Sequence, residues 1–253
     1  MKNYTKKPDE IEKIAEGGKL LGQILQNTAK LAQPGVSTAE LNEFAEAEIR
    51  KVGGVPSFIG YGEKNNPFPA GLCTSINDVI VHGVPSKKDV LKEGDIIGLD
   101  IGMIYKDLFT DTAITVAVGE VSDKAQELMN VTKRALEKAI EVAKPGNAIG
   151  DLGFAMQREA QKAGFGIVKD LVGHGVGYAV HEDPSVPCYG QPGQGIKLIP
   201  DMVLAIEPMF CENSGEIFFD QDGWTIRTND YGLSAHFEHT IAITNDQARI
   251  LTL

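Results

Sequence analysis

From Pro8 onward, apolar residues recur at intervals of three and four, at Ile11, Ile14, Gly18, Leu21, Leu25 and Ala29, which places them on one face of a helix. Pro8 suits the first helical position, where its missing N–H costs nothing, and Asp9 and Glu10 complement the positive end of the helix dipole. Pro34-Gly35 predicts the turn that ends this helix. Ser37 with Glu40 forms a capping-box pattern and predicts a second helix running to about Lys51, closed by Gly53-Gly54. Further along the period changes. Ile96-Ile97-Gly98-Leu99-Asp100-Ile101 and Met202-Val203-Leu204-Ala205-Ile206-Glu207 are short continuous apolar runs that read as buried strands, each interrupted or ended by an acid.

The helical text occurs twice. Lys30-Leu31-Ala32-Gln33-Pro34-Gly35 aligns with Glu141-Val142-Ala143-Lys144-Pro145-Gly146, Leu41 with Leu152, Glu48 with Glu159 and Gly53 with Gly164. Shared turn chemistry alone could produce this much, but the strands repeat as well. Gly94 to Asp100 lines up with Asp201 to Glu207, and Asp111-Thr112-Ala113-Ile114-Thr115-Val116 with Glu238-His239-Thr240-Ile241-Ala242-Ile243. Each half therefore supplies two carboxylates at equivalent positions: Asp100 matches Glu207, and Asp111 matches Glu238. The expectation is an α+β chain with pseudo-twofold halves at about 8–120 and 121–253, whose strands merge into one curved, mostly antiparallel sheet covered by four helices. A single domain spanning residues 1–253 follows from that merger, with two independent domains as the alternative.

Acids in buried strands demand an explanation. An ionised carboxylate in an apolar run loses several kcal/mol of hydration unless it is paired or coordinates a cation. A single such acid is ordinarily salt-bridged or at a strand end, but few basic residues lie near these four, and His174 adds a nitrogen ligand from a glycine-rich loop. The simplest neutralising partner is a pair of divalent metal ions. Oxygen-rich ligands with one imidazole suit Co, Mn, Fe, Zn or Ni, and a two-metal site of this kind activates water for hydrolysis. Hydrolysis leaves roles for donors that hold the oxyanion and the scissile nitrogen, for which His82 and His181 are the candidates, although each could instead be a structural histidine. His236 and His239 flank Glu238 and read as its supports.

Composition narrows the class. A net charge of -11 argues against nucleic acid as the main partner, and no apolar run approaches the ~18 residues of a membrane span. The stretch Met1 to Glu12 lacks the apolar core of a secretory signal. Cys73, Cys188 and Cys211 are odd in number and widely spaced, which suits free thiols in a reducing cytoplasm.

Gly173-His174-Gly175-Val176-Gly177, Ile206-Glu207-Pro208 and Glu238-His239-Thr240, with the Asp100 and Asp111 spacing, resemble the type I methionine aminopeptidases, bacterial-type members of the pita-bread metallopeptidases without an N-terminal extension. The resemblance runs from about Pro8 to Thr244. It implies the pita-bread fold and removal of the initiator methionine from nascent polypeptides whose second residue is small. By matching positions it implies that Asp100 chelates one metal, Asp111 and Glu238 bridge both, and His174 and Glu207 bind the other. Glu207 is also implied as proton shuttle, His181 as stabiliser of the tetrahedral intermediate and His82 as a contact to the substrate amide. Tyr61, Phe68, Cys73, His82 and Trp224 match the methionine pocket, and Asn77, Val79 and Ser234 match a monovalent-cation site. Family behaviour further implies a cytoplasmic monomer in transient contact with the ribosome.

Phe58 and Val180 depart from the residues common in bacterial relatives, and the stretch from Gly62 to Pro67 is longer than usual. Xaa-Pro peptidases and prolidases share the fold and ligands but carry a large N-terminal domain, whereas the repeat here begins near residue 8. The interval from His181 to Glu207 is too short for the helical insertion of type II enzymes. Non-catalytic pita-bread modules that bind peptides typically lose several ligands, and here all five are present.

Overall fold

The computed structural model describes residues 4–253; the reading of the charged N-terminal stretch falls partly on residues 1–3, outside the described residues. Its helices are α1 (Pro8–Lys30), α2 (Thr38–Lys51), α3 (Asp123–Val142) and α4 (Ile149–Ala163). Local chemistry sets their ends. At α2 the Ser37 hydroxyl accepts from the Glu40 N–H while the Glu40 carboxylate accepts from the Ser37 N–H at 2.8 Å. The second copy keeps half of that device: Ala148 has no hydroxyl, but its N–H donates to Asp151 at 2.7 Å. Gly53 and Gly164 follow their helices at φ +81° and +75°, a left-handed conformation that glycine adopts at least cost.

The repeat extends to the connections. Gly35 N–H donates to the Leu91 carbonyl and Gly146 N–H to the Leu198 carbonyl, and isolated bridges join Ser37 to Val90 and Ala148 to Lys197. Each helix-turn-helix is thus tied to the segment leading into its own acid-bearing strand.

Those strands meet in one sheet. Ile96–Tyr105 forms a hairpin with Leu108–Ala117, which pairs with Glu238–Ile243, which pairs with Val203–Ile206, and then come Val172–Gly175 and Glu182–Pro187. Every pairing is antiparallel. The pseudo-twofold axis falls between Leu108–Ala117 and Glu238–Ile243, where the halves join. Apolar side chains cluster mainly by half: Leu21, Leu25, Leu41, Ile97 and Leu99 pack beneath α1 and α2, and Leu128, Leu136, Leu152, Met156 and Ile206 beneath α3 and α4. Cys73, Cys188 and Cys211 are buried free thiols. No helix among the described residues is long and apolar enough to cross a membrane.

The halves differ where function could need them to. Ten residues separate Asp100 from Asp111, whereas the equivalent passage from Glu207 to Glu238 contains the short strands Met209–Cys211, Ile217–Phe219, Ile226–Thr228 and Ser234–His236. These build two small sheets with Gly166–Ile167 and Val79–Val81, and the turn after Phe219 carries Trp224.

The central seam is short in backbone pairing, Glu238 opposite Ala113 and His239 opposite Thr112, and buried threonine hydroxyls extend it. Thr240 Oγ1 donates to the Asp111 carbonyl at 2.7 Å and accepts from the Asp111 N–H at 3.2 Å. Thr112 Oγ1 donates to the Glu238 carbonyl at 2.8 Å, and Thr115 Oγ1 to the His236 carbonyl at 2.8 Å. Replacing Thr240 with valine preserves shape but strands the backbone of Asp111. Urea denaturation of Thr240→Val is expected to show a loss of about 1–3 kcal/mol; unchanged stability would mean that the hydroxyl does not hold the seam.

Candidate metal centre and substrate cavity

Register explains how acids from four strand segments reach one place. Asp100 and Glu238 both lie opposite Ala113, one from each side, and Asp111 stands two residues from Ala113 on the same strand. Side chains opposite one another, or two apart along a strand, share a sheet face. The small methyl group of Ala113 leaves room between the carboxylates. On the other side of the axis, His174 lies opposite Ala205, two residues before Glu207, and so projects from the face that carries Glu207. Candidate ligand atoms of Asp111, His174 and Glu238 all lie within 4.8 Å of one another. Glu207 joins them through a 3.3 Å approach of its Oε1 to His174 Nε2.

Part of the cluster's hydrogen-bonding capacity is not met by protein donors among the described residues. Asp100 Oδ1, Asp111 Oδ1 and Glu238 Oε1 are buried with no hydrogen-bond partner among the described residues. Burial, assisted by the mutual repulsion of these acids and Glu207, holds Asp111 and Glu238 well above the usual carboxylate range. Burial likewise raises Asp100 to about 6, despite an opposing pull from His236. Glu207 goes the other way: burial pushes it up, but His236, His174 and His181 outweigh that and hold it below its ordinary value.

His174 is oriented as a ligand. Its Nδ1 lies 2.9 Å from the Gly175 carbonyl, which can only accept, so Nδ1 carries the proton and Nε2 turns its lone pair toward Glu207. A lone pair facing a carboxylate, beside three unpartnered carboxylate oxygens, is a donor set that fits divalent cations, with no thiolate among the candidate ligands. Each such acid left without a cation costs the fold several kcal/mol.

The same cavity, about 250 Å³, is lined by all five of these residues and by His82, His181, Tyr61, Phe68, Cys73 and Trp224. The structure thus brings the expected metal ligands, His82, His181 and the expected methionine-pocket residues to one cavity, while Asn77, Val79 and Ser234 lie outside its lining. Phe58 lines it too, and Val180 packs behind it with Phe58, Phe68 and Cys73. The wall also includes Val81, Asp170, Leu171, Val172 and Met209, which sequence reasoning did not single out, although Val172 and Met209 adjoin the Gly-His-Gly and Glu-Pro motifs. His82 holds a left-handed backbone at φ +58°, unusual for a side-chain-bearing residue, and burial lowers its pKa to about 4.

Two supporting histidines separate. His236 Nε2 stands 3.4 Å from Glu207 Oε2, not beside Glu238 as its sequence position suggests; burial lowers its pKa, but Glu207 and Asp100 outweigh that and keep it raised. His239 instead meets Thr252 Oγ1 at 2.9 Å and lines a separate groove between α1 and α3. Alternation along the strand sends neighbours Glu238 and His239 to opposite faces.

An open antiparallel sheet flanked by four helices, with a carboxylate-rich centre at its axis, defines a metallohydrolase scaffold. Residues 12–245 match the model of metallopeptidase family M24, and the chain belongs to that family. Its relatives there are methionine aminopeptidases. It is 46% identical to the methionine aminopeptidase of Clostridium acetobutylicum over 98% of each chain. It superposes on the crystal structure of methionine aminopeptidase from Thermotoga maritima with a TM-score of 0.96 at 42% identity, covering 100% of this chain and 99% of that one. Xaa-Pro dipeptidase from Bacillus anthracis shares the pita-bread fold at a TM-score of 0.78, with 23% identity, 98% of this chain and 62% of that chain aligned.

Because the carboxylates repel one another when no cation is bound, Asp111→Asn is expected to raise the melting temperature in EDTA. A relief of one kcal/mol corresponds to roughly 2–4 °C in a chain of this size. Added Mn²⁺ should stabilise the unmodified chain by about 2–3 kcal/mol at a hundredfold excess over Kd, and the variant far less. Calorimetry showing equal Mn²⁺-induced gains in both proteins would remove Asp111 from the site.

Proposed function

We propose that this chain removes N-terminal methionine from nascent polypeptides whose second residue is small. The observation that carries this reading is the union, in one cavity, of an uncompensated carboxylate-histidine cluster with an apolar wall of Phe58, Phe68, Cys73, Val81 and Trp224. Such a wall suits an unbranched, polarisable thioether. Asp100 would hold one divalent ion, His174 and Glu207 a second, and Asp111 with Glu238 would be shared by both. Bound there, the ions supply Lewis acidity, lowering the pKa of water and polarising the carbonyl under attack.

The remaining chemistry belongs to side chains. Glu207 takes the proton of the attacking water and delivers it to the leaving amine, a role suited to a carboxylate that His236 helps keep ionised. His181, at the rim beside His174 with ring centroids 4.4 Å apart, donates to the oxygen that gains negative charge. His82, whose ring centroid lies 6.3 Å from that of Trp224, contacts the substrate amide. All of this draws on both halves of the repeat, so residues 1–253 act as one catalytic unit. Ser234 Oγ donates to the Val79 carbonyl at 3.1 Å and Ser234 N–H to the Asn77 carbonyl at 2.8 Å, which gathers the three residues proposed to hold a monovalent cation. The proposed setting is the cytoplasm, acting as a monomer in transient contact with the ribosome.

With the protein loaded in turn with Co²⁺, Mn²⁺, Fe²⁺, Zn²⁺ or Ni²⁺, Met-Ala-Ser should release methionine while Ala-Pro peptides are cleaved poorly. The reverse preference would reject the substrate assignment. His181→Ala should lower kcat by about 100-fold or more, and an unchanged kcat would remove His181 from the reaction.

A further inference from the structure

Tyr61 stands at the cavity rim on a loop that is unusually well tied down. Gly60 N–H donates to the Phe68 carbonyl at 2.9 Å, Phe68 N–H to the Tyr61 carbonyl at 2.8 Å and Tyr61 N–H to the Phe58 carbonyl at 3.0 Å, closing the loop at its base. Its far side docks on the pocket wall: Trp224 Nε1 donates to the Asn66 carbonyl at 3.1 Å, and Asn66 Nδ2 to the Asp222 carbonyl at 3.0 Å. A side chain at Gly62 would lie 2.5 Å from the Trp224 ring, so the loop lies directly against the indole. So held, the Tyr61 phenol meets His181 Nδ1 at 2.5 Å, with ring centroids 5.1 Å apart at 69°.

That contact has a chemical consequence. A neutral imidazole carries one proton on either nitrogen, and the nitrogen that accepts a hydrogen bond is the one without it. Tyr61 offers one O–H. If it donates to Nδ1, the ring proton sits on Nε2, the nitrogen that Tyr61 does not hold, and the rim presents a donor instead of a lone pair.

From this geometry we infer that Tyr61 is a positioning residue that fixes His181 in its Nε2–H tautomer and so makes the ring a hydrogen-bond donor toward the cavity. The inference deepens the proposed function, since it rests on His181 acting as a donor to substrate. It differs from a role for Tyr61 as pocket wall, because phenylalanine retains the wall and loses only the hydroxyl. It also gives the stretch from Gly62 to Pro67 a purpose: docked on Trp224, it holds the phenol at hydrogen-bond distance.

The test is Tyr61→Phe, read by nitrogen-15 NMR of histidine-labelled, zinc-loaded enzyme, with the His181 signals identified by their loss in His181→Ala. The unmodified chain should show His181 protonated at Nε2, and Tyr61→Phe a mixture of tautomers, with kcat reduced about tenfold, KM changed far less and an unchanged melting temperature. An Nδ1–H tautomer in the unmodified chain, or an unaltered tautomer in Tyr61→Phe, overturns the inference whatever the rate does. A shifted tautomer with an unchanged kcat upholds the positioning role and instead overturns His181 as donor to substrate.

Discussion

Repulsion among buried carboxylates is the interaction around which this molecule is built. Asp100, Asp111 and Glu238 meet at the seam of a sheet, each with an oxygen that no group among the described residues satisfies. Alone they oppose folding, yet they occupy the middle of the structure, where the halves must join. Two features let the fold tolerate them. Threonine hydroxyls on the neighbouring positions, Thr112, Thr115 and Thr240, carry hydrogen bonds across the seam that backbone pairing does not supply. Divalent cations would offset the rest, placing the candidate functional centre at the seam itself.

Duplication accounts for the carboxylates and departure from duplication accounts for the chemistry. The equivalent pairs Asp100 with Glu207 and Asp111 with Glu238 give a nearly symmetric oxygen cage, which by itself distinguishes neither face of a substrate. His174 has no counterpart in the first half. The long passage between Glu207 and Glu238 adds His236, which stands against Glu207 and keeps it ionised, and Trp224, which walls the cavity. One of the symmetric acids is thereby set apart electrostatically, which is what the proposed proton transfer requires, while the other three are candidates for pure coordination.

Much of this was legible in the chain because it depends on period and repetition. Helix limits follow from Pro8, Ser37-Glu40 and Gly53, and the acids announce themselves by interrupting Ile96–Ile101 and Met202–Glu207. Contacts between residues far apart in sequence were less accessible. Adjacency suggested that His236 and His239 both attend Glu238, whereas strand alternation turns His239 to the other face and a bend carries His236 to Glu207. The Tyr61 and His181 contact joins residues 120 apart, and the docking of Asn66 on Trp224 spans 158; no local pattern encodes either.

The division between legible and illegible parts corresponds to a division of labour. The candidate metal ligands reside on strands, or in the case of Glu207 directly after one, and the buried face enforces the register of those strands, since a one-residue slip would turn the acids outward. Rim groups reside on loops, where Tyr61, Asn66 and Trp224 depend on one another instead of on the sheet. Strand geometry therefore limits how far the metal centre can vary without unfolding, while the loop from Gly60 to Phe68 can lengthen at little cost to the core. Because that loop terminates on an indole placed by the second half, it adds order at the rim without disturbing the carboxylates beneath it.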